Sequence, residues 1–572
     1  MRRTKVEQTF KFVLVGLISL ALTTSCGMGK FESGSTSLVN SSAEDPLLRY
    51  AWHISNTGQS VFAASPATAG YDLNLAATWA AQIYGKGIWI QISDDGLEDT
   101  HEDLHDNFPY LNFSKNYTAS SPYTSTTAPP QSTTDTHGTS VSGLAAAVGW
   151  NGLGSRGVAP KAHLTIANFL SSAVTQTTAK YLDQANGNFD ISNMSWGTTQ
   201  NSISALDTSY SSQLQSAVTN KRNGKGTIFV KAAGNDFAVL CNGSTTAYCI
   251  GNANFDGDNV LPYVIVTGAM NSQGVSASYS SVGSSLWISS FGGEFGDDSP
   301  AMITTDLSGC SKGYSESNQT SAFEKGASTE NPSCNYTSIF NGTSSATPIL
   351  SGAIALMLEA NPQLSWREVK YILAKTATAD HFATGSISHP QNTALPSGYV
   401  WEQKWITNAA QFKYHNWYGF GRVNVDAAVN MAKSFITTPV SLGTYTETNW
   451  NAAHAHTGLN LSIPDNSATG VTDTIAVSDS LKVEAVQIKV SITHPDISEL
   501  ALELTSPSGT KSILINARNS LTGIGNFSGD IFLSNAFYQE NTAGNWTLKV
   551  IDTKSGNTGT LTDFSLNFFG GN

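Results

Sequence analysis

The chain has 572 residues, too many for one hydrophobic core, so it reads as two domains of which one is large. Charged residues make up only 13%, and 30 basic against 43 acidic residues leave a net charge of −13. This balance excludes nucleic acid as a partner and gives no basic patch for anionic membranes, while a surface of Ser, Thr, Asn and Gly suits a protein exposed outside the cytoplasm.

Residues 1–26 read as a signal peptide: Arg2, Arg3 and Lys5 precede an apolar stretch from Phe12 to Leu22 that is too short to span a bilayer. Thr23-Thr24-Ser25-Cys26 puts a cysteine straight after small residues, as at a bacterial lipoprotein processing site, although Leu22 lies four residues before it where the usual pattern has three. Two fates are open, lipid on Cys26 or ordinary secretion, and the lipid would be the one link to a membrane. Residues 27–44 are Gly/Ser-rich and read as a tether, with no room for a folded prodomain. Apart from Cys26, the cysteines Cys241, Cys249, Cys310 and Cys334 are even in number, and local closure favours Cys241 with Cys249 and Cys310 with Cys334 among the three pairings.

From Asp45 the composition turns globular. Gly87 to Ser93 is a nearly continuous apolar run, as expected of a parallel strand covered on both faces, and it ends at Asp94-Asp95-Gly96. Further buried strands are expected at His163–Phe169, Ile191–Ser195, Thr227–Ala232 and Tyr263–Thr267, with helices between them at Val141–Val148, Thr178–Gln184 and Leu206–Thr219. Strand alternating with helix predicts an α/β domain with a doubly wound, mostly parallel sheet, spanning 45–435, whose sites form at the carboxyl ends of its strands. Residues 270–340 read as long Ser/Gly/Asn-rich surface loops pinned by Cys310 and Cys334. Then come a buried helix from Ile349 to Leu358, another from Ser365 through Ala374, and a last one near Lys433. In 436–572 only strand signals remain: Val486, Ile488, Val490 and Ile492 alternate with polar residues, as do Leu500, Leu502 and Leu504, and Trp546, Leu548 and Val550. This predicts an all-β sandwich domain.

Ser344 stands in Gly342-Thr343-Ser344-Ser345-Ala346-Thr347-Pro348, at the start of a buried helix and after small residues that let a substrate approach. A serine hydroxyl needs an imidazole to take its proton, and the imidazole needs a carboxylate to fix its tautomer. His137, in Thr136-His137-Gly138-Thr139-Ser140, and Asp94 supply both.

These three motifs, in the chain order Asp, His, Ser, resemble the subtilisin-like serine proteases. Asp94-Asp95-Gly96, the stretch Gly226 to Asn235 and the terminal sandwich resemble the kexin and furin branch, whose jelly-roll P domain the sandwich is similar to through His494-Pro495-Asp496, Leu504 to Thr510 and Gly544 to Leu548. The resemblance implies a monomeric serine endopeptidase acting on protein and peptide substrates. Asp94 would orient His137, His137 would act as base and then acid, Ser344 would be the nucleophile, and Asn235 would donate to the oxyanion. Ser195, Trp196 and Gly197 would pair with substrate backbone and wall the first specificity pocket, Asp256 would read a basic side chain there, and Asp95 the side chain before it. Gln200 and Ser281 depart from the branch, which has acids at these places, and no acid is apparent for the fourth subsite. A structural Ca²⁺ is also implied, held by side chains of Asp45, Asp103 and Asn151 and carbonyls of Val148, Leu153 and Ser155. Relatives fold with a prodomain, so its absence here implies a separate folding helper.

Two rival readings remain. His101-Glu102-Asp103-Leu104-His105 is a literal zinc-protease motif, but it lies among acids before Pro109, without an apolar helical stripe. The other rival is an inert α/β part carrying an adhesive sandwich.

Overall fold

The structure is a computed structural model describing residues 44–240, 248–379, 395–521 and 525–572. The signal segment, Cys26, the tether up to residue 43 and Cys241 lie outside the described residues.

Eight strands form the sheet of the larger domain: β1 (Trp89–Ser93), β2 (Ser114–Lys115), β3 (Thr124–Ser125), β4 (His163–Ala167), β5 (Ile191–Met194), β6 (Ile228–Ala232), β7 (Val264–Met270) and β8 (Ile288–Phe291). In space they run β8-β7-β6-β5-β1-β4-β2-β3. Every pairing is parallel except the β2/β3 hairpin. β5, β6 and β7 are buried throughout, which is why they read as apolar runs. β1 lies between β4 and β5, so the chain turns to opposite sides of β1 and opens a crevice at its carboxyl end.

Helices α1 (His137–Ala146), α2 (Thr178–Gln184), α3 (Thr208–Gly224), α4 (Thr343–Ala360), α5 (Trp366–Thr376) and α6 (Val425–Ser434) cover the sheet. α4 packs on α1 and on several central strands. α1 and α4 each begin several residues before the apolar pattern predicts. Their first turns, from His137 and from Thr343, are built of small residues whose side chains fit against neighbouring backbone. A Cβ at Gly138 would lie 2.2 Å from the carbonyl oxygen of Gly96.

The expectation of surface loops over 270–340 is corrected. The segment contains β8 and an antiparallel pair, β9 (Met302–Thr305) with β10 (Tyr336–Phe340), and residues 279–293 are buried. The outer edge of β8 is covered by Gly419 and Arg422 through bridges to Ile288 and Ser289. Small serines there bury where larger side chains would not fit, so polarity misled the reading. Cys310 and Cys334 are joined, as local closure predicts, and Cys249 is disulfide-bonded as well.

The sandwich has two antiparallel sheets, one ordered Tyr445–Glu447, Gly559–Gly571, Lys482–Thr493, Phe527–Ser534, the other Val471–Val477, Gly544–Asp552, Leu500–Thr505, Lys511–Ile515. The three alternating apolar sets predicted from sequence face one another in a common core.

Candidate active site

Asp94 follows directly on β1 and is wholly buried at the crevice. Its backbone is fixed on the neighbouring strand, the N–H donating to Ala167 and the carbonyl accepting from Leu170, both at 2.9 Å. The carboxylate faces His137, whose Nδ1 lies 2.9 Å from Oδ1 and 3.0 Å from Oδ2. The imidazole edge packs on Phe340 at the end of β10, with ring centroids 5.3 Å apart, so the ring is held on two sides.

Ser344 is the second residue of α4, reached through Gly342 at φ +102, a conformation that favours glycine. Its hydroxyl donates to the carbonyl of Ser195 at 3.1 Å, and the Ser195 hydroxyl donates to the carbonyl of Ser344 at 3.0 Å. The second bond has a local cause: Pro348, inside the helix, has no N–H to give to Ser344, so that carbonyl is free for Ser195. Asn235, three residues past β6, accepts the Thr343 N–H and the Thr343 hydroxyl at its Oδ1, each at 2.9 Å. Pinning Oδ1 turns Nδ2 to the other side, where a Cβ on Gly342 would meet it at 3.3 Å. An amide donor and a helix N-terminus thus meet beside Ser344.

Of the acids expected to read substrate, Asp95 points into the protein. Its oxygens accept the N–H of His137 at 3.0 Å and of Gly138 at 2.7 Å, capping α1. Asp256 accepts from the Lys231 ammonium at 2.7 Å and the Thr198 N–H at 3.1 Å through Oδ2, and from the Asp258 N–H at 3.0 Å through Oδ1. Gly197 lies against this pair: a Cβ there would stand 2.7 Å from Asp256 Oδ2 and 3.3 Å from Lys231 Nζ. Trp196 packs between Phe169 and Tyr181 with the Lys231 ammonium 5.3 Å from its centroid.

The residues expected to hold calcium come together where the loop after α1 folds over the segment after β1. Asp103 accepts the Asn151 amide at 2.8 Å and the Ser155 N–H at 3.2 Å, and its own carbonyl accepts from Val148. Asn151 Oδ1 accepts the Leu153 N–H at 2.9 Å, while Asp45 accepts from Trp150 and Gly152 and pairs with Arg156. Burial, with the Asp45 charge adding to it, pushes the Asp103 carboxyl up to about 8, and the buried Ser155 hydroxyl has no partner among the described residues. A carboxylate so strained beside an orphaned hydroxyl fits a hard cation.

Comparison with known proteins decides the family. Residues 85–421 match the model of the subtilase family, and residues 483–568 that of the proprotein convertase P-domain. The chain belongs to the subtilase family. It is 35% identical to the extracellular serine protease of Aeromonas sobria over 90% of this chain and 85% of the relative. A dibasic-processing endoprotease of Schizosaccharomyces pombe is 27% identical, over 92% of this chain and 65% of its own. A crystal structure of the Aeromonas sobria serine protease in complex with the chaperone ORF2 superposes with a TM-score of 0.81 at 31% identity, covering 93% of this chain and 96% of that one.

The chain is therefore a serine endopeptidase, and the zinc-motif stretch takes another form in this subtilase. His101 is buried in a turn, with Nε2 2.9 Å from the Asn335 carbonyl and Nδ1 accepting the Asp103 N–H at 3.1 Å. His105 opens a short 3₁₀ turn and pairs with Asp106 at 3.2 Å, so the two imidazoles share no helical face. Sequence reading missed Lys231, Asp258 and the role of Pro348. Lys231 carried a signal, a lone charge within the apolar run Ile228 to Ala233.

Proposed function

We propose that this subtilase cleaves peptide bonds with Ser344 as nucleophile, His137 as proton carrier, Asp94 as its orienter and Asn235 as oxyanion donor. The observation that carries the reading is the paired approach of Asp94 to His137 Nδ1, which fixes the tautomer and leaves Nε2 for the serine. Ser344 Oγ bonds to the peptide carbonyl carbon as its proton passes to Nε2, and the carbonyl oxygen, now negative, takes hydrogen bonds from Asn235 Nδ2 and the Ser344 N–H. His137 then gives its proton to the leaving amine, the amine departs, and an acyl-serine remains. Water then attacks the acyl carbon while His137 takes its proton, and that proton passes to Ser344 Oγ as the acyl–oxygen bond breaks and the acid leaves. Loss of one oxyanion donor typically lowers the rate about 10²- to 10³-fold.

Asp45, Asp103, Asn151 and the carbonyls of Val148, Leu153 and Ser155 would hold Ca²⁺, which when bound supplies the positive charge that Asp103 lacks. A preference for a basic residue before the scissile bond accords with the pocket's charge, two carboxylates at Asp256 and Asp258 against one ammonium at Lys231. The extracellular relative and the leader at 1–26 support secretion, with Cys26 the candidate for a lipid anchor. No described helix is long and apolar enough to cross a membrane. The chaperone in the relative's structure supports a separate folding helper here.

Labelling of the calcium-loaded, full-length protein with a serine-directed fluorophosphonate tests the reading. Label on the wild type and none on Ser344→Ala is expected, together with cleavage of a peptide library by the wild type alone. Equal labelling of both proteins would sink it.

A further inference from the structure

We propose that Lys231 determines specificity in the first pocket: its ammonium occupies Asp256 from within and hands recognition of a basic substrate side chain to Asp258. The proposal rests on the serine-protease reading above.

A central strand buried on both faces is a costly place for an ammonium unless a carboxylate meets it. Lys231 lies on β6 between β5 and β7 and its side chain is fully buried. Its hydrogen-bond partner is Asp256 Oδ2 at 2.7 Å. Asp256 is correspondingly committed: Thr198 and Asp258 N–H groups reach its two oxygens, so all three of its donors come from the chain. A substrate guanidinium or ammonium would meet in Asp256 a carboxylate whose charge Lys231 already pairs, with spare acceptor capacity only at Oδ1.

This pair is not remote from the reaction. It lies under Gly197, two residues from Ser195, whose carbonyl accepts from the Ser344 hydroxyl. Asp258 belongs to the same cluster. Its Oδ1 accepts from the Tyr181 hydroxyl, Tyr181 is in ring contact with Trp196, and its Oδ2 has no hydrogen bond among the described residues. Burial pushes the Asp258 carboxyl up to about 6, with Lys231 acting against that rise. Two carboxylates and one ammonium leave room for one more positive charge, and the oxygen that has no donor among the described residues is on Asp258. Selectivity for Arg over a neutral chain of like length is then set by one partly screened carboxylate, which predicts about tenfold in kcat/KM.

The test compares peptides with Arg or norleucine before the scissile bond, using calcium-loaded enzyme labelled in parallel with fluorophosphonate. In Asp258→Asn the Arg preference should collapse to about unity. In the double variant Lys231→Met with Asp256→Asn, which removes one charge of each sign and so keeps the cluster's net charge, the ratio should stay within about threefold of wild type. Single Lys231→Met should raise it about tenfold or more, because Asp256 then lacks a cation. Collapse of the ratio in the double variant, its survival in Asp258→Asn, or a wild type with no Arg preference would each overturn the proposal while the labelled serine upholds the protease. A wild type that takes no label removes both.

Discussion

Asp94 and Asp95 are neighbours in sequence and both buried, yet they are held by different partners. Asp94 meets an imidazole; Asp95 meets two backbone N–H groups of α1. Burial first and the Asp94 charge second push the Asp95 carboxyl up to about 7, while His137 and the two N–H groups pull it down. Because the folded protein holds this proton more tightly than an unfolded chain would, the group favours folding fully below its ordinary value of 3.8. That contribution is lost as pH rises towards 7. Asp95→Asn cannot titrate and accepts at only one oxygen. The variant should carry a pH-independent cost of about 1 kcal/mol from the weakened cap, and should gain thermal midpoint relative to wild type between pH 4 and 7 at saturating calcium. Parallel midpoint curves would show that Asp95 is already ionised across this range. At this scale the sequence was legible in placement, since motif and chain order bring Asp94 to His137 and Asn235 to the turn that carries Ser344. It was not legible where a role depends on a distant partner. Nothing near Asp256 announces that Lys231 will pair with it, and nothing near Asp95 announces a helix end.

Among the elements, α4 concentrates the chemistry through a defect in its own hydrogen bonding. A proline in the second turn normally weakens a helix, because one carbonyl loses its donor. Here the orphan is the carbonyl of Ser344, and Ser195 at the end of β5 satisfies it at 3.0 Å, tying the backbone of the proposed nucleophile to the central sheet. Ser195→Ala should therefore cost about 1–2 kcal/mol in denaturant unfolding, the expense of a buried carbonyl left without a donor. In a Pro348→Ala background the helix itself can supply an N–H, and the same replacement should cost measurably less. A coupling of about 1 kcal/mol between the two positions is expected from the cycle; additive effects would mean that the Ser195 hydroxyl and Pro348 are unrelated. Strand and helix order was legible from alternating apolar runs, and α2 lies where predicted. The starts of α1 and α4 were legible from the motifs around His137 and Ser344 and not from apolar periodicity, and the strands in 270–340 were not legible, because close packing there selects Gly, Ser and Thr rather than apolar side chains.

For the whole molecule, the two architectures were legible in the change of period near residue 436, but the intimacy of their contact was not. The catalytic part and the sandwich cluster as one compact unit. They are joined by buried bonds to backbone groups: Asn535 gives its amide to Ser285 and its N–H to Ser284, each at 2.9 Å, and Ser284 Oγ donates to Leu533 at 2.7 Å. Asn252 reaches Leu514 at 3.0 Å. Single asparagines and serines give no pattern from which such partners can be read. One charged contact can be tested alone. Arg367 on α5 donates through Nε to both oxygens of Glu484 at 3.0 and 3.1 Å, and its Nη1 and Nη2 reach the carbonyls of Gly443 and Leu442. Glu484 is only 5% exposed, so removing the guanidinium strands a buried carboxylate, at a cost of about 3 kcal/mol. Arg367→Ala should unfold in a single calorimetric transition at a lower midpoint, because the remaining buried bonds still couple the domains, and adding Glu484→Gln should recover part of the loss. An unchanged midpoint would mean that the ion pair contributes nothing across this interface. Two separate transitions in the wild type would refute the coupling itself.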